Sequence, residues 1–288
     1  MINIRPMGSK TAATLLLLAL LICNRLAQAH EYWLEPVESS WQVGDTLKAD
    51  IKNGVDFAGD KFPLNPAVLS GAGLVSPSLR TGLRGRLGNL PAFQMPLQEP
   101  GLHLLLLETT KRELDYDSSA KFNEFLEYHG LTDVISENDD FSIPDTDIKE
   151  IYYRFSKALV MVNPGEADTS EAGISAAQSA DAVNPSAALE VQEQPLEIIL
   201  SDNPMGAETV RAQIRLQGEP LASRQVELFH RNASAQVTRI TQRSDDSGYV
   251  EFDIAESGDY LINAVWVVEP GQSSADLISL WASLFFHQ

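Results

Sequence analysis

Val210-Arg-Ala-Gln-Ile-Arg-Leu-Gln-Gly-Glu-Pro220 decides the fold. Its apolar residues Val210, Ala212, Ile214 and Leu216 occupy alternate positions, as they must when one face of an extended strand is buried. Gly218-Glu-Pro220 turns the chain, and Val226 and Leu228 resume the alternation. Ser244-Asp-Asp-Ser-Gly248 is a second turn, followed by Val250, Phe252 and Ile254. Gly258-Asp259 is a third, followed by Tyr260, Ile262, Ala264 and Trp266. Short half-buried strands punctuated in this way predict a β-sandwich of immunoglobulin-like or transthyretin-like kind over residues 194–288.

Working outward, the same period recurs upstream at Leu47, Ala49 and Ile51, and Leu102 to Leu107 reads as a largely buried strand. The period then changes. Phe122, Phe125, Leu126 and His129 lie at i, i+3, i+4 and i+7, which predicts a short amphipathic helix that Gly130 can end. Ile148 to Val162 fits helix or strand, with Leu159-Val-Met-Val162 favouring a strand at its end. Residues 164–193 are rich in Ala, Ser, Glu and Asp, carry no Lys or Arg and show no apolar period, so they read as a disordered linker or long loop. The expected fold is mainly β: two β-sandwich-like domains, 30–163 and 194–288, with a short helical insertion and an acidic low-complexity linker.

The amino end reads as a signal peptide over residues 1–29. Arg5 and Lys10 precede an apolar run from Thr14 to Cys23, too short to span a bilayer comfortably, and Ala27-Gln28-Ala29 offers small residues for cleavage before His30. The expected mature protein is periplasmic, has no membrane span, and has lost Cys23, leaving neither a disulfide nor a thiolate site. The formal charge of −19 becomes −22 without the leader's three basic residues. Such a surface repels nucleic acid and anionic lipid and attracts cations in a weak, screened way.

Several segments together resemble a known group. They are His30-Glu-Tyr-Trp-Leu-Glu-Pro36, Phe122-Asn-Glu-Phe-Leu-Glu-Tyr-His-Gly-Leu131, Tyr153-Arg-Phe-Ser-Lys-Ala-Leu159, Pro195-Leu-Glu-Ile198 with Asn203-Pro204, Gly218-Glu-Pro-Leu221, Asp246-Ser-Gly-Tyr-Val250 and Trp281-Ala-Ser-Leu284. The chain resembles a family of periplasmic proteins of unassigned activity associated with nickel and cobalt uptake. Its last hundred residues are similar to the small β-sandwich of carboxypeptidase-regulatory and B-type surface repeats. The resemblance implies a two-part, exported β protein linked to transition-metal handling, and it supplies no activity.

Cleavage before His30 would create a chelate. The α-amine titrates near neutrality and shares a six-membered ring with the Nδ1 of the same residue. A second imidazole would complete a histidine brace, and such donors suit Cu(II) and Ni(II). His103, within Leu102-His-Leu-Leu-Leu-Leu107, is the candidate second ligand, against the plainer reading of a hydrogen-bonded core histidine. His129 is explained by its place at a helix C-terminus, His230 and His287 read as incidental, and Glu31, Glu35 and Asp56 could add an oxygen ligand. No nucleophile elbow, phosphate loop, His-Glu-x-x-His or Cys nucleophile is present. The expectation is a metal-binding protein that holds Ni(II), Co(II) or Cu(II) through His30 and His103 and serves a membrane transporter component. The alternatives are a metal-free interaction module of the cell envelope and a copper oxidase acting on polysaccharide.

Overall fold

The computed structural model describes residues 30–138, 141–165 and 186–288. The leader and the greater part of the acidic segment lie outside them. The protein is mainly β, and its sandwiches are built around one shared sheet.

That central sheet has ten strands. Its main path runs β15 (Val237–Arg243), β14 (Gln225–Arg231), β17 (Asp259–Val268), β18 (Leu277–His287), β10 (Ile148–Asn163), β8 (Gly101–Thr109), β5 (Leu69–Val75), β6 (Arg80–Gly82). Strands β2 (Trp41–Gln42) and β9 (Arg112–Tyr116) add to β10. A small sheet covers each face. One contains β1 (Glu31–Pro36), β3 (Thr46–Val55), β4 (Ala58–Phe62) and β7 (Phe93–Pro96); the other contains β11 (Leu196–Leu200), β12 (Thr209–Leu216), β13 (Glu219–Pro220) and β16 (Tyr249–Asp253).

Burial on both faces explains the apolar run in β8. Leu102, Leu104 and Leu106 enter the core beneath β11, β12 and β16, while Leu105 and Leu107 enter the opposite core beneath β1 and β3. Each buried leucine is worth about 1.5–3 kcal/mol, so such a strand belongs inside the stack. Strand β10 takes the whole of 148–163, extended from its first residue, with Phe155 and Leu159 facing one core and Ala158, Val160 and Val162 the other. A third cluster seals the rest of the β1 side: α1 (Ser119–Tyr128) and α2 (Thr132–Ser136) set Phe122, Phe125 and Leu126 against Tyr116, Val265 and Trp281.

The division at 164–193 follows the sequence and not the sheets. Strand β10 pairs in parallel with β18 from Glu150↔Leu277 to Ala158↔Phe285, so strands from both halves share one hydrogen-bonded layer. Of the segment read as disordered, 186–193 packs. It begins with α3 (Ser186–Leu189), buries Ala188, and ties down Gln192, whose backbone N–H donates to Glu197 at 2.6 Å and whose side-chain oxygen accepts from Arg80. Glu197 in turn accepts from the buried Lys157 of β10 at 2.6 Å.

Helix α1 ends as its sequence predicts. Gly130 sits at φ +64°, in the left-handed region, and a Cβ there would stand 2.8 Å from the Gln225 side-chain oxygen. Gly130→Ala should therefore cost about 1 kcal/mol or more. An unchanged urea midpoint would mean that the α1 end relaxes freely.

Candidate functional site

Buried charge concentrates where β1 begins. His30 leads directly into β1, which runs antiparallel to β3 with Glu31 opposite Gly54. Strand β3 returns as β4 through a two-residue turn, Asp56-Phe57, with φ of +53° and +57°. Such mirror-image turns match the twist of paired strands but disfavour a side chain like phenylalanine. Phe57 is held there by its fully buried ring, packed against Trp33, Phe229 and Phe285. The turn presents the exposed Asp56 carboxylate, which accepts the Tyr128 hydroxyl proton at 2.5 Å.

Below this turn lies a network centred on Glu227 of β14, 2 % exposed. Its carboxylate accepts from His129 Nδ1 at 3.0 Å, Arg239 Nη2 at 2.7 Å, Asn263 Nδ2 at 2.6 Å and Gln225 Nε2 at 3.2 Å. Burial alone would raise its pKa, but His129, Arg239 and Asn263 hold it down at about 2. Trp281 and Phe125 wall in the His129 ring at 4.8 and 5.4 Å between centroids.

Glu31 has the opposite character. It is 2 % exposed, and its Oε2 has no hydrogen-bond partner among the described residues. Burial pushes its pKa up to about 8, and the nearby charges of Glu227 and Asp56 add to the rise. Two buried carboxyls thus share one region, one held ionised and one held neutral. On the other side of β1, Arg154 donates to the His30 carbonyl at 3.2 Å and lies over the rings of Tyr32 and Tyr152. Glu150 is closed off by hydrogen bonds from Tyr116 and Ser279, and burial raises its pKa. The open surface depression lined by Glu127, Gly130, Asp133 and Arg243 contains none of these buried groups.

The structure does not bring His30 and His103 together. His103 is 1 % exposed on β8, opposite Val160 of β10. Val160 lies six residues beyond Arg154, which touches His30, a separation of roughly 20 Å along a strand. The His103 ring also turns the other way, donating from Nδ1 to the Gly101 carbonyl at 3.0 Å, and burial lowers its pKa. His103 is the hydrogen-bonded core histidine, and the pairing with His30 is corrected accordingly. His129 occupies the helix end that its sequence position suggested, but it is buried and Glu227 is its partner. His230 stacks on Tyr260 and His287 pairs with Asp259.

Sequence reading missed Glu227, Arg239 and Asn263. A signal existed: Glu227 interrupts Val226-Glu-Leu-Phe229, and Asn263 interrupts Tyr260-Leu-Ile-Asn-Ala-Val265. Polar residues inside such runs must find partners if buried.

Among the described residues, no group of three or more His, Cys, Asp and Glu side chains is arranged to hold a metal, and no helix is long and apolar enough to cross a membrane. No curated protein matches the chain. Two similar solved structures are the D0-D1 domain of Intimin and a tetra-tandem repeat from the extending region of a large adhesion protein. The first is 9 % identical over 88 % of this chain and 97 % of that one, with a TM-score of 0.19. The second is 8 % identical over 90 % of this chain and 49 % of that one, with a TM-score of 0.21. Residues 27–268 match a domain family of unknown function, so the span from the start of β1 through β17 identifies the chain as a member of the DUF4198 family.

Proposed function

We propose that the protein is exported to the periplasm, that cleavage exposes His30, and that this residue binds a divalent transition metal, Ni(II), Co(II) or Cu(II), for an uptake or delivery system. The observation that carries the reading is the setting of His30. Its carbonyl is anchored by Arg154, and the residue after it buries a carboxyl oxygen with no partner among the described residues. A divalent cation at this strand end would favour ionisation of the Glu31 carboxyl, which burial otherwise keeps protonated. The donors would be the α-amine and Nδ1 of His30, joined by a carboxylate. Asp56 is the candidate carboxylate: extending the Glu31↔Gly54 register sets Val55 opposite His30, and Asp56 is the next residue, in the turn that follows.

The experiment is a titration with Ni(II) and with Cu(II) at about 0.15 M salt, where diffuse attraction to the acidic surface is screened. Protein starting at His30 should bind one equivalent. Protein with a residue left ahead of His30 should bind weaker by orders of magnitude, since its amine has become an amide. Asp56→Asn should weaken binding further, and His103→Ala should not. Equal affinity with free and blocked termini would remove His30 as the site and favour a metal-free interaction module of the envelope.

A further inference from the structure

Residues 61–98 hold no Asp or Glu, although the whole chain carries 40 acidic residues. Four basic residues fall in this stretch, Lys61, Arg80, Arg84 and Arg86. Lys61 pairs with Asp50 and Arg80 donates to Gln192. Arg84 and Arg86 are exposed, and neither has an ion pair or a ring contact among the described residues. Other arginines of this acidic protein are used differently: Arg211, Arg224, Arg231 and Arg239 each lie over an aromatic ring, and Arg243 reaches Asp133.

Just after the two free guanidinium groups in the chain come the two most exposed apolar residues of the loop. Leu87 is 75 % exposed and Leu90 54 %. They sit on a fixed loop. Asn89 N–H donates to the Arg86 carbonyl at 2.9 Å, and Arg86 N–H to the Asn89 side chain at 2.7 Å. Gly88 and Leu64 tie the turn to the chain before β5, at 2.8 and 2.9 Å. At its base Gly85 lies so close to Ala92 that a Cβ would come within 2.4 Å of the Ala92 carbonyl. The loop holds its shape while presenting leucine to water.

We propose that the 84–90 loop docks the protein on an anionic phospholipid surface. Leu87 and Leu90 enter the boundary between head groups and acyl chains, and Arg84 and Arg86 pair with lipid phosphates. Arginine suits that role because its planar fork binds phosphate through two parallel hydrogen bonds. A bilayer is the fitting partner because it receives a convex tip without a preformed pocket, and exposed leucine next to basic residues suits the interface between head groups and acyl chains. Charge complementarity sets the orientation. The acidic remainder is repelled by the same surface, but its field is screened within about 8–10 Å at ordinary salt, so this face alone can approach.

The experiment is co-sedimentation of the His30–Gln288 chain with vesicles of phosphatidylglycerol and phosphatidylethanolamine, beside vesicles of phosphatidylcholine alone. Binding should be seen with the anionic vesicles and not the neutral ones, and should fall steeply with salt. Leu87→Asp and the double change Arg84→Gln with Arg86→Gln should each reduce it at least about tenfold, the scale of losing one anchoring signal of two. Both variants alter exposed side chains, so their urea midpoints should match the parent and exclude misfolding. In Leu87→Trp, the added indole should shift its emission to the blue on anionic vesicles. No binding to anionic vesicles, or equal binding by parent and variants, would overturn the proposal. So would retention of an acidic protein partner by the loop with no blue shift on vesicles.

Discussion

Glu227→Ala should destabilise the protein by about 3–5 kcal/mol, the usual cost of breaking a buried ion pair from one side. The size follows from what is left behind. His129, 5 % exposed, and Asn263, 1 % exposed, would lose the acceptor they share, and Arg239 its carboxylate. Glu227→Gln preserves the shape but offers one oxygen where four donors converge, so it should also destabilise, by less. Acid should reproduce part of the effect. A carboxyl held at about 2 when folded and near its ordinary value when unfolded stabilises above the unfolded pKa. That contribution is lost as pH falls from about 4.5 toward 2. Urea unfolding of parent and variants between these pH values measures both effects. A loss under about 1 kcal/mol for Glu227→Ala, the scale of an ordinary single hydrogen bond, would mean that water fills the site and the network does not hold β14, β17 and α1 together.

Glu31→Gln should act in the opposite direction and over the opposite pH range. Glu31 is held protonated up to about 8 against an ordinary value of about 4.5. Between those values the folded protein binds the extra proton, so its stability falls as pH rises. The shift sets a ceiling of about 5 kcal/mol on the loss, at 1.36 kcal/mol per unit. Glutamine keeps the neutral shape and never ionises. In metal-free protein the variant should match the parent near pH 4.5 and exceed it by several kcal/mol at pH 8. Parallel stability curves for the two proteins across that range would show that Glu31 is not shielded from water. Removing Glu227 as well should shrink the gap, because its negative charge contributes to holding the Glu31 proton.

The β pattern was legible because one-sided burial writes itself into a sequence at period two, as in Val210 to Leu216. Strand β8 was legible for another reason: burial on both faces left an unbroken apolar run. Strand β10 was ambiguous because Lys157, Glu150 and Arg154 sit inside it. Each is buried and matched by a partner from elsewhere: Glu197, Tyr116 with Ser279, and the ring of Tyr32. Nothing local announces such partners. The site shows the same limit. His30 could be singled out by its predicted place at a mature terminus, and Asp56 was named as a possible oxygen ligand. Their relation to Glu31, Tyr128 and Glu227 depends on pairings between residues far apart in the chain. His103 was misread because the period that placed it on a strand gives no indication of which way its ring turns.

The parallel pairing of β10 with β18 bears on how the chain reaches its folded state. Glu150 and Leu277 are neighbours in the sheet and 127 residues apart in sequence. Contacts of such range form late, because the intervening chain must be closed before they stabilise anything. A polypeptide emerging from its amino end would carry β10 with one edge unfilled until Leu277–His287 was out. Strand β18 lies between β17 and β10, so the sheet lacks its middle and not a dispensable margin until then. Any product stopped short of Leu277 should therefore expose a long apolar edge, the surface for which holding chaperones and aggregation compete.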